Sequence, residues 1–420
     1  MRQKLKSIHI VISVILILTI VSIACQLPVT TSEEKSPESN LEATIVALQT
    51  QVSEQVEGEE ETQKISTATD EPLLEATNLP PQINQPQQEN YLYQGIYVLQ
   101  NNWFSPFDFS GLSLGPGFPA GADNWYGQSE IDPFLDEIYY SEFGTESGVY
   151  KVNSSGTTKI NFINSNDPIN ISISPNRQQI AWSTSSWDTG EVQSQIYYAN
   201  LDGSNQFLID FLSGNEQAEF PRIFYPVRWL DDGRLLYATG MTGIGGYMIF
   251  WGYNGLFLYN PLDNSIRTLV DDNERLGICL SSISDDLEKI AIVCGGDDSV
   301  RVRSLSSGVE TSFPILADQV LAGAARFSPS GEWLAYVIQR ADPMQELGKV
   351  VLVPVDGSLP PRILATVEDG SFVVEGWINE DEIIVSQSSL TTNQINVLKI
   401  SKDSGVINQV AFGKFLDFIP

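Results

Sequence analysis

Carboxylates are the only abundant side chains in this sequence that could act as acids, bases or metal ligands. The 420 residues contain 53 Asp and Glu but a single histidine, His9, which lies in a predicted export signal. Without an imidazole in the mature chain, Ser-His-Asp and Cys-His nucleophile pairs and histidine-ligated zinc or copper sites are excluded. Paired aspartates occur at 231–232, 271–272, 285–286 and 297–298. No D-x-D-x-D-G calcium loop is present, so we predict no metal site and no cofactor.

One serine motif has the spacing of a nucleophile elbow. GLSLG, residues 111–115, matches G-x-S-x-G, which requires a preceding strand, a following helix and a histidine elsewhere. Pro116, Gly117 and Pro119 exclude that helix. We therefore interpret the motif as a glycine-rich loop and assign no catalytic residue.

The balance of charge excludes one class of partner. Lys and Arg number 23 against 53 Asp and Glu, which gives a net charge of −30. Binding to phosphate backbones needs clustered Lys and Arg. We therefore predict that the protein does not bind nucleic acid.

The N-terminus has the three parts of an export signal. Three basic residues within the first six precede an apolar run over 8–24, and Cys25 follows. Ser22-Ile23-Ala24-Cys25 resembles the lipobox of bacterial lipoproteins, matching it at Ala24 and Cys25 and departing from it at Ser22. The resemblance implies a signal peptide over 1–24, a lipid on Cys25 and an extracytoplasmic protein anchored in the cell membrane. An uncleaved anchor helix and plain secretion are the alternatives.

Residues 25–90 have the composition of a disordered linker. Between residues 31 and 90, 13 acidic residues outnumber Lys35 and Lys64, and their repulsion should extend the segment. A short helical island over 41–52 has apolar residues at i, i+4, i+7 and i+11. It is either a transient helix or a weak oligomerisation helix. The sequence leaves the oligomeric state open.

The rest of the chain, 91–420, repeats a frame of apolar strand, tight polar turn and second strand. The frame occurs six times, as RFSPSGEWLAYV (326–337) and at 130–141, 172–183, 228–239, 282–293 and 376–387. A second hairpin with alternating apolar residues follows each copy, at 148–163, 196–209, 256–270, 300–315, 350–364 and 395–410. Four strands per repeat is typical of propeller blades.

These motifs resemble the TolB-like, or WD40-like, β-propeller repeat family over about residues 125 to 415. The resemblance implies an all-β fold, and six repeats predict a six-bladed β-propeller of four-stranded blades. The additional strand at Tyr91–Leu99 could complete an outer edge. Seven blades with degenerate ends is the alternative.

One long segment, 101–126, is a candidate recognition loop because it combines many aromatic residues with Gly and Pro. Pro and Gly argue against regular strands there, and long aromatic loops often bind ligands. The alternative is a plug that packs over one propeller face. The aromatic residues are Trp103, Phe104, Phe107, Phe109, Phe118, Trp125 and Tyr126.

Two cysteines lie on the strands of one predicted hairpin. If Ile283 pairs with Ile290, the same register pairs Cys279 with Cys294. An extracytoplasmic location would allow a disulfide between them. The alternative is two reduced cysteines that pack as small apolar side chains.

The predicted function is non-catalytic recognition of a protein, peptide or glycan, or a scaffold role, by a propeller held at the membrane. Such a module should present an aromatic or neutral polar face. The alternative is a propeller lyase or glycoside hydrolase, which needs two or more carboxylates converging in the channel, one with a raised pKa. A structural part of an envelope assembly would instead expose a large apolar patch, for which 101–126 is the candidate.

Overall fold

The computed structural model describes residues 91–121, 130–143, 147–165, 167–186, 192–213, 222–241, 252–272, 279–294, 299–315, 321–339, 348–368, 370–389, 391–392 and 394–420. These residues belong to one unit, Gln85–Pro420. The predicted signal 1–24, Cys25, the linker to residue 90 with its helical island at 41–52, Trp125 and Tyr126 lie outside the described residues. Within the described ranges there is no helix of the length and apolarity that a bilayer crossing requires.

All elements of regular structure in the described ranges are strands, as their many β-branched and aromatic residues predict. In chain order they are β1 (Gly95–Gln100), β2 (Trp103–Phe107), β3 (Phe118–Pro119), β4 (Ile131–Phe134), β5 (Glu137–Glu142), β6 (Gly148–Asn153), β7 (Gly156–Lys159), β8 (Ile169–Ile173), β9 (Gln179–Ser186), β10 (Gln193–Asn200), β11 (Phe207–Leu212), β12 (Arg222–Trp229), β13 (Leu235–Met241), β14 (Gly255–Asn260), β15 (Ser265–Val270), β16 (Leu280–Ile283), β17 (Lys289–Ile292), β18 (Ser299–Ser304), β19 (Glu310–Pro314), β20 (Leu321–Phe327), β21 (Trp333–Gln339), β22 (Lys349–Pro354), β23 (Arg362–Thr366), β24 (Gly370–Trp377), β25 (Glu382–Ser389), β26 (Ile395–Ser401), β27 (Ile407–Phe412) and β28 (Lys414–Ile419).

The strands form seven antiparallel sheets of four strands each, which are the blades of a β-propeller. Six blades use consecutive strands, in the order β4–β7, β8–β11, β12–β15, β16–β19, β20–β23 and β24–β27. They are blades 1 to 6. Every strand pair predicted from the six repeats is found, so the all-β propeller is confirmed.

The predicted number of six blades is wrong, because a seventh blade combines both ends of the domain. Its strand order is β28-β1-β2-β3, so the innermost strand comes from the C-terminus. β1 pairs with β28 from Gly95↔Ile419 to Leu99↔Lys414. The predicted extra strand at Tyr91–Leu99 therefore does not complete the edge of another blade. It lies inside this one, which joins the two ends of the ring.

The core is divided into seven apolar clusters, each between two neighbouring blades. The cluster between blades 7 and 1, for example, packs Tyr97 and Leu416 against Ile131 and Ile138. Each of the other six clusters likewise contains residues from two adjacent blades. Since burial of apolar side chains is the main stabilising term, each blade depends on both of its neighbours.

The turn after the innermost strand has the same backbone conformation in several blades, even where its sequence differs. Gly233 and Gly331 adopt positive φ angles of 83° and 68° in this turn. Arg177 and Leu287, which replace glycine in two copies, adopt the same left-handed conformation with φ of 56° and 60°. In all four turns the backbone N–H of this residue donates to the carbonyl three residues earlier. The degenerate copies therefore preserve the geometry that places the ends of the inner strands.

Candidate functional site

The innermost strands of all seven blades line one central cavity of about 360 Å³. It lies towards the face at which these strands end, which we call the turn face. One residue of each inner strand, one or two positions before the end of the strand, contributes to a ring around this cavity. In blade order the ring residues are Asp132, Ser172, Arg228, Ser282, Arg326, Gly376 and Asp417. The ring therefore presents charged side chains of both signs to the channel.

Asp132 connects the first two blades at the channel wall. Its Oδ2 accepts a hydrogen bond of 2.6 Å from the backbone N–H of Ile173 in β8. Burial raises the pKa of this carboxyl to about 8, although the Ile173 N–H opposes the shift, and the negative charge of Asp417 raises the pKa further. At neutral pH Asp132 is therefore largely protonated.

Asp417 occupies the same ring position on the neighbouring strand β28. Its Oδ1 accepts a hydrogen bond of 2.8 Å from the N–H of Phe418. Burial raises its pKa to about 7, and Glu375 contributes to the rise whereas Arg326 lowers it. Within the described ranges neither Asp132 nor Asp417 forms an ion pair with Lys or Arg. We call these two carboxyls the acidic pair.

Replacing Asp132 and Asp417 with Asn is expected to remove a decline in stability at high pH. Because both folded pKa values are raised above that of the unfolded chain, their stabilising contribution is complete below about pH 4 and is lost as pH rises through about 7 and 8. The stability advantage of the double variant over wild type should therefore increase by at least about 2 kcal/mol between pH 5 and pH 9.

Thermal unfolding between pH 5 and pH 9 measures this difference. Asp263→Asn is the matched control, because hydrogen bonds from Ser265 lower the pKa of Asp263 and keep it ionised throughout this range. Its pH profile should therefore parallel that of wild type. Parallel profiles for the Asp132→Asn/Asp417→Asn variant and wild type would contradict the raised pKa values.

Two arginines occupy the ring positions of blades 3 and 5. Arg326 donates from Nε to the carbonyl of Glu375 at 3.2 Å and from Nη1 to the carbonyl of Ser281 at 3.4 Å, so it connects three blades. Arg228 forms an ion pair through Nη1 with Asp285 on the turn of blade 4. Its Nη2 is covered and makes no hydrogen bond within the described ranges. Arg228 therefore retains an unused donor at the channel wall.

A segment that leads into β1, residues 91–94, borders the cavity, and we call it the strap. Backbone N–H groups of Leu92 and Gln94 donate to the carbonyls of Ile378 and Ile419, both at 2.8 Å. Tyr93 lines the cavity and stacks on Phe418 with ring centroids 4.5 Å apart. Burial and the charge of Asp417 raise its pKa to about 12, so the phenol remains neutral.

The candidate recognition loop 101–126 is largely part of blade 7. Contrary to expectation, it contains β2 and β3 despite Pro106. Phe104 and Phe109 are buried in the two clusters beside this blade, and Phe107 and Phe118 pack against them. Only Trp103 among the described aromatic residues of the segment is exposed, together with Leu112 and Leu114. The structure does not bring these aromatic side chains to the channel.

Cys279 and Cys294 are joined by a disulfide bond with a Cα–Cα distance of 4.6 Å. Ile283 pairs with Ile290, but a β-bulge between Leu280 and Ser282 shifts the register. The backbone of Cys279 is therefore bonded to Val293, whose N–H donates to its carbonyl at 2.8 Å. The bond closes the open end of the β16–β17 hairpin, away from the turn face.

The channel residues were not identified from sequence, although a signal exists. Arg228 and Arg326 are the first residues of their repeat frames, and polar residues there interrupt otherwise apolar strands. Asp132 does not align with the two arginines in the repeat frame, because the β4–β5 turn is shorter than the others. Asp417 lies in no repeat. Within the described ranges no group of three or more His, Cys, Asp or Glu is placed to bind a metal ion.

No protein family matches this sequence, and no curated protein matches it. Solved structures resemble its fold. TolB from Acinetobacter baumannii is 14% identical over 74% of this chain and 77% of that chain, with a TM-score of 0.37. A putative TolB from Agrobacterium tumefaciens is 13% identical over 64% and 88%, with a TM-score of 0.38. A putative 6-phosphogluconolactonase from Bacteroides fragilis is 13% identical over 80% and 98%, with a TM-score of 0.43.

These are distant similarities, and no function is transferred from them. The propeller fold rests on the strand order of the seven sheets.

Proposed function

We propose that the protein is a membrane-anchored recognition module whose ligand binds at the channel mouth on the turn face. The observation that carries the proposal is the convergence of all seven inner strands on one cavity with charged walls. Ligand sites are concave and contain a few precisely placed polar groups. A cavity of about 360 Å³ is suited to a small molecule or to one or two residues of a larger ligand.

Binding accounts for the acidic pair better than catalysis does. Asp132 and Asp417 each accept a hydrogen bond from a backbone N–H, and Asp132 uses its bond to hold blade 2. A general acid or base needs its proton site directed at the substrate. Both carboxyls therefore have a structural reason to be present without a reaction.

A carboxylate-dependent hydrolase or lyase is the second candidate, and one observation favours it. Two carboxyls with raised pKa values lie on adjacent strands of the channel, as that class requires. Turnover of an envelope glycan that is lost in both Asp132→Asn and Asp417→Asn, with folding intact, would establish this alternative.

We propose the location from the sequence alone. The lipobox-like Ser22–Cys25 supports cleavage before Cys25 and lipid attachment to it, which places the propeller outside the cytoplasm. More than one acyl chain is needed for stable anchoring. The intact mass and membrane partition of wild type and Cys25→Ala test this proposal. An acylated chain that becomes soluble on substitution supports it, and an unprocessed membrane-bound chain in both cases opposes it.

The recognition proposal is tested by neutralising the ion pair at the mouth. Arg228→Gln/Asp285→Asn should reduce capture of the natural ligand from envelope extract at least tenfold, measured by quantitative mass spectrometry. Arg234 and Asp232 form a matched control pair outside the cavity lining: their side chains are 36% and 53% exposed, against 37% and 55% for Arg228 and Asp285. Equal loss in both variants, or capture unaffected by either, would contradict a ligand at the mouth.

A further inference from the structure

The channel ring is divided into an acidic arc and a basic arc. The acidic arc belongs to blades 7 and 1, which carry Asp417 and Asp132. The basic arc belongs to blades 3 and 5, which carry Arg228 and Arg326. In a closed ring of seven blades, blade 1 lies across the channel from blades 4 and 5, so the two arcs face each other across the same cavity.

Neither arc is fully satisfied by the protein. Asp417 accepts only the N–H of its own neighbour, Phe418, and no Lys or Arg nitrogen of the described ranges forms an ion pair with it. On the other side, Nη2 of Arg228 is a covered donor that makes no hydrogen bond. A buried donor or carboxyl without a hydrogen-bond partner destabilises the protein. A ligand that provides the missing partner is therefore bound favourably.

We infer that the channel mouth binds a small zwitterionic ligand, an α-amino acid or a dipeptide, with its ammonium group at Asp417 and Asp132 and its carboxylate at Arg228. This inference rests on the proposed function and names the ligand class. An ammonium donates to two carboxyls on adjacent strands, and a guanidinium is the preferred partner of a carboxylate. The cavity volume limits the bound part to one or two residues.

The ligand would have to share the mouth with Tyr93. Its ring borders the cavity and is held by stacking on Phe418 rather than by a hydrogen bond of its hydroxyl group within the described ranges. The strap is fixed on either side of Tyr93 by backbone bonds of Leu92 and Gln94. A rotation of the Tyr93 side chain would therefore change the space at the mouth without detaching the strap.

Binding should depend on pH through the acidic pair. The pKa of Asp417 is raised by Glu375 of β24 and lowered by Arg326 of β20. The charge of Asp417 in turn raises the pKa of Asp132 of β4 and of Tyr93 of the strap. Affinity should rise from pH 5.5 to about 7.5 as Asp417 ionises, and fall above pH 8 as an α-amino group loses its proton.

The test uses three ligands that differ in one charge each, added to the full-length protein in detergent. Glycylglycine carries both charges, N-acetylglycine lacks the ammonium and glycylglycinamide lacks the carboxylate. Calorimetric titration should give glycylglycine at least tenfold the affinity of either analogue. Titration of glycine alone distinguishes a free amino acid from a dipeptide.

Two variants test which arc binds the ammonium group of the ligand and which binds its carboxylate. Asp417→Asn should abolish the preference for glycylglycine over N-acetylglycine, and Arg228→Gln should abolish the preference over glycylglycinamide. Arg234→Gln, outside the cavity, should change neither. Glycylglycinamide binding as tightly as glycylglycine would overturn the inference. So would failure of every ligand to bind while capture from envelope extract still depends on Arg228 and Asp285, an outcome that leaves the proposed function in place.

Discussion

A chain that ends at Gly413 is expected to fail to form the closed propeller. It lacks β28, whose Phe415, Leu416 and Ile419 are buried in the clusters on both sides of blade 7. Burial of three such side chains contributes roughly 5–9 kcal/mol, which is comparable with the whole stability of a typical domain. Removal of the strand also leaves an edge of β1 without its ladder of hydrogen bonds.

The truncated chain can be compared with full-length protein by thermal unfolding, near-ultraviolet circular dichroism and limited proteolysis. A point variant gives a graded version of the test. Leu416→Ala, at a residue 1% exposed, should cost about 2–5 kcal/mol. Phe412→Ala, at a residue 54% exposed on the neighbouring blade, should cost less than about 1 kcal/mol. A truncated chain that unfolds at the wild-type temperature would contradict the role of β28.

Loss of the disulfide bond between Cys279 and Cys294 is expected to lower stability by about 3 kcal/mol. The bond closes a loop with a sequence separation of 15 residues, and loops of this length gain about that much from the constraint on the unfolded chain. For a domain of this size the change corresponds to a decrease in Tm of roughly 4 °C.

Reduction of wild type and the double variant Cys279→Ala/Cys294→Ala should both show the decrease. Addition of reductant to the variant is the internal control, because no further decrease is expected there. If reductant leaves the Tm of wild type unchanged while free thiols appear, the bond does not stabilise the fold.

Six blades could be predicted from sequence because each is a continuous segment with a recurring frame. The turn residues and the alternation of apolar side chains remain recognisable even at Arg177 and Leu287, where glycine is absent. The seventh blade could not be predicted in this way, because its innermost strand and its other strands come from opposite ends of the domain. A search for a repeat along the chain cannot detect such a blade.

The strand content of 101–126 was underestimated for a different reason. Pro106 has no backbone N–H to donate to a neighbouring strand. On the outer side of β2, however, β3 pairs only with Trp103 and Phe104, so no strand pairs with Pro106 there. Pro106 therefore lies on what is effectively an edge, where proline is tolerated. The aromatic residues suggested a ligand-binding loop, whereas Phe104 and Phe109 provide the apolar surface of a blade with a very short outer strand.

The ring of charged residues around the channel could not be predicted by aligning the repeats. Arg228, Arg326 and Asp417 are far apart in sequence, and only closure of the ring brings them to one cavity. The presence of acidic residues was evident, but which of them face the channel depends on the bulges and turn lengths of individual inner strands.

The C-terminal origin of β28 also determines when the protein can finish folding during its biosynthesis. Blade 6 and β1 lack a neighbour until β28, which follows every other strand of the domain in the chain, has been synthesised. A chain cut short by premature termination would leave both sides of the gap exposed to proteases and chaperones. Synthesis of β28 is thus a condition of the native state, and chains that lack this strand differ in structure from chains that contain it.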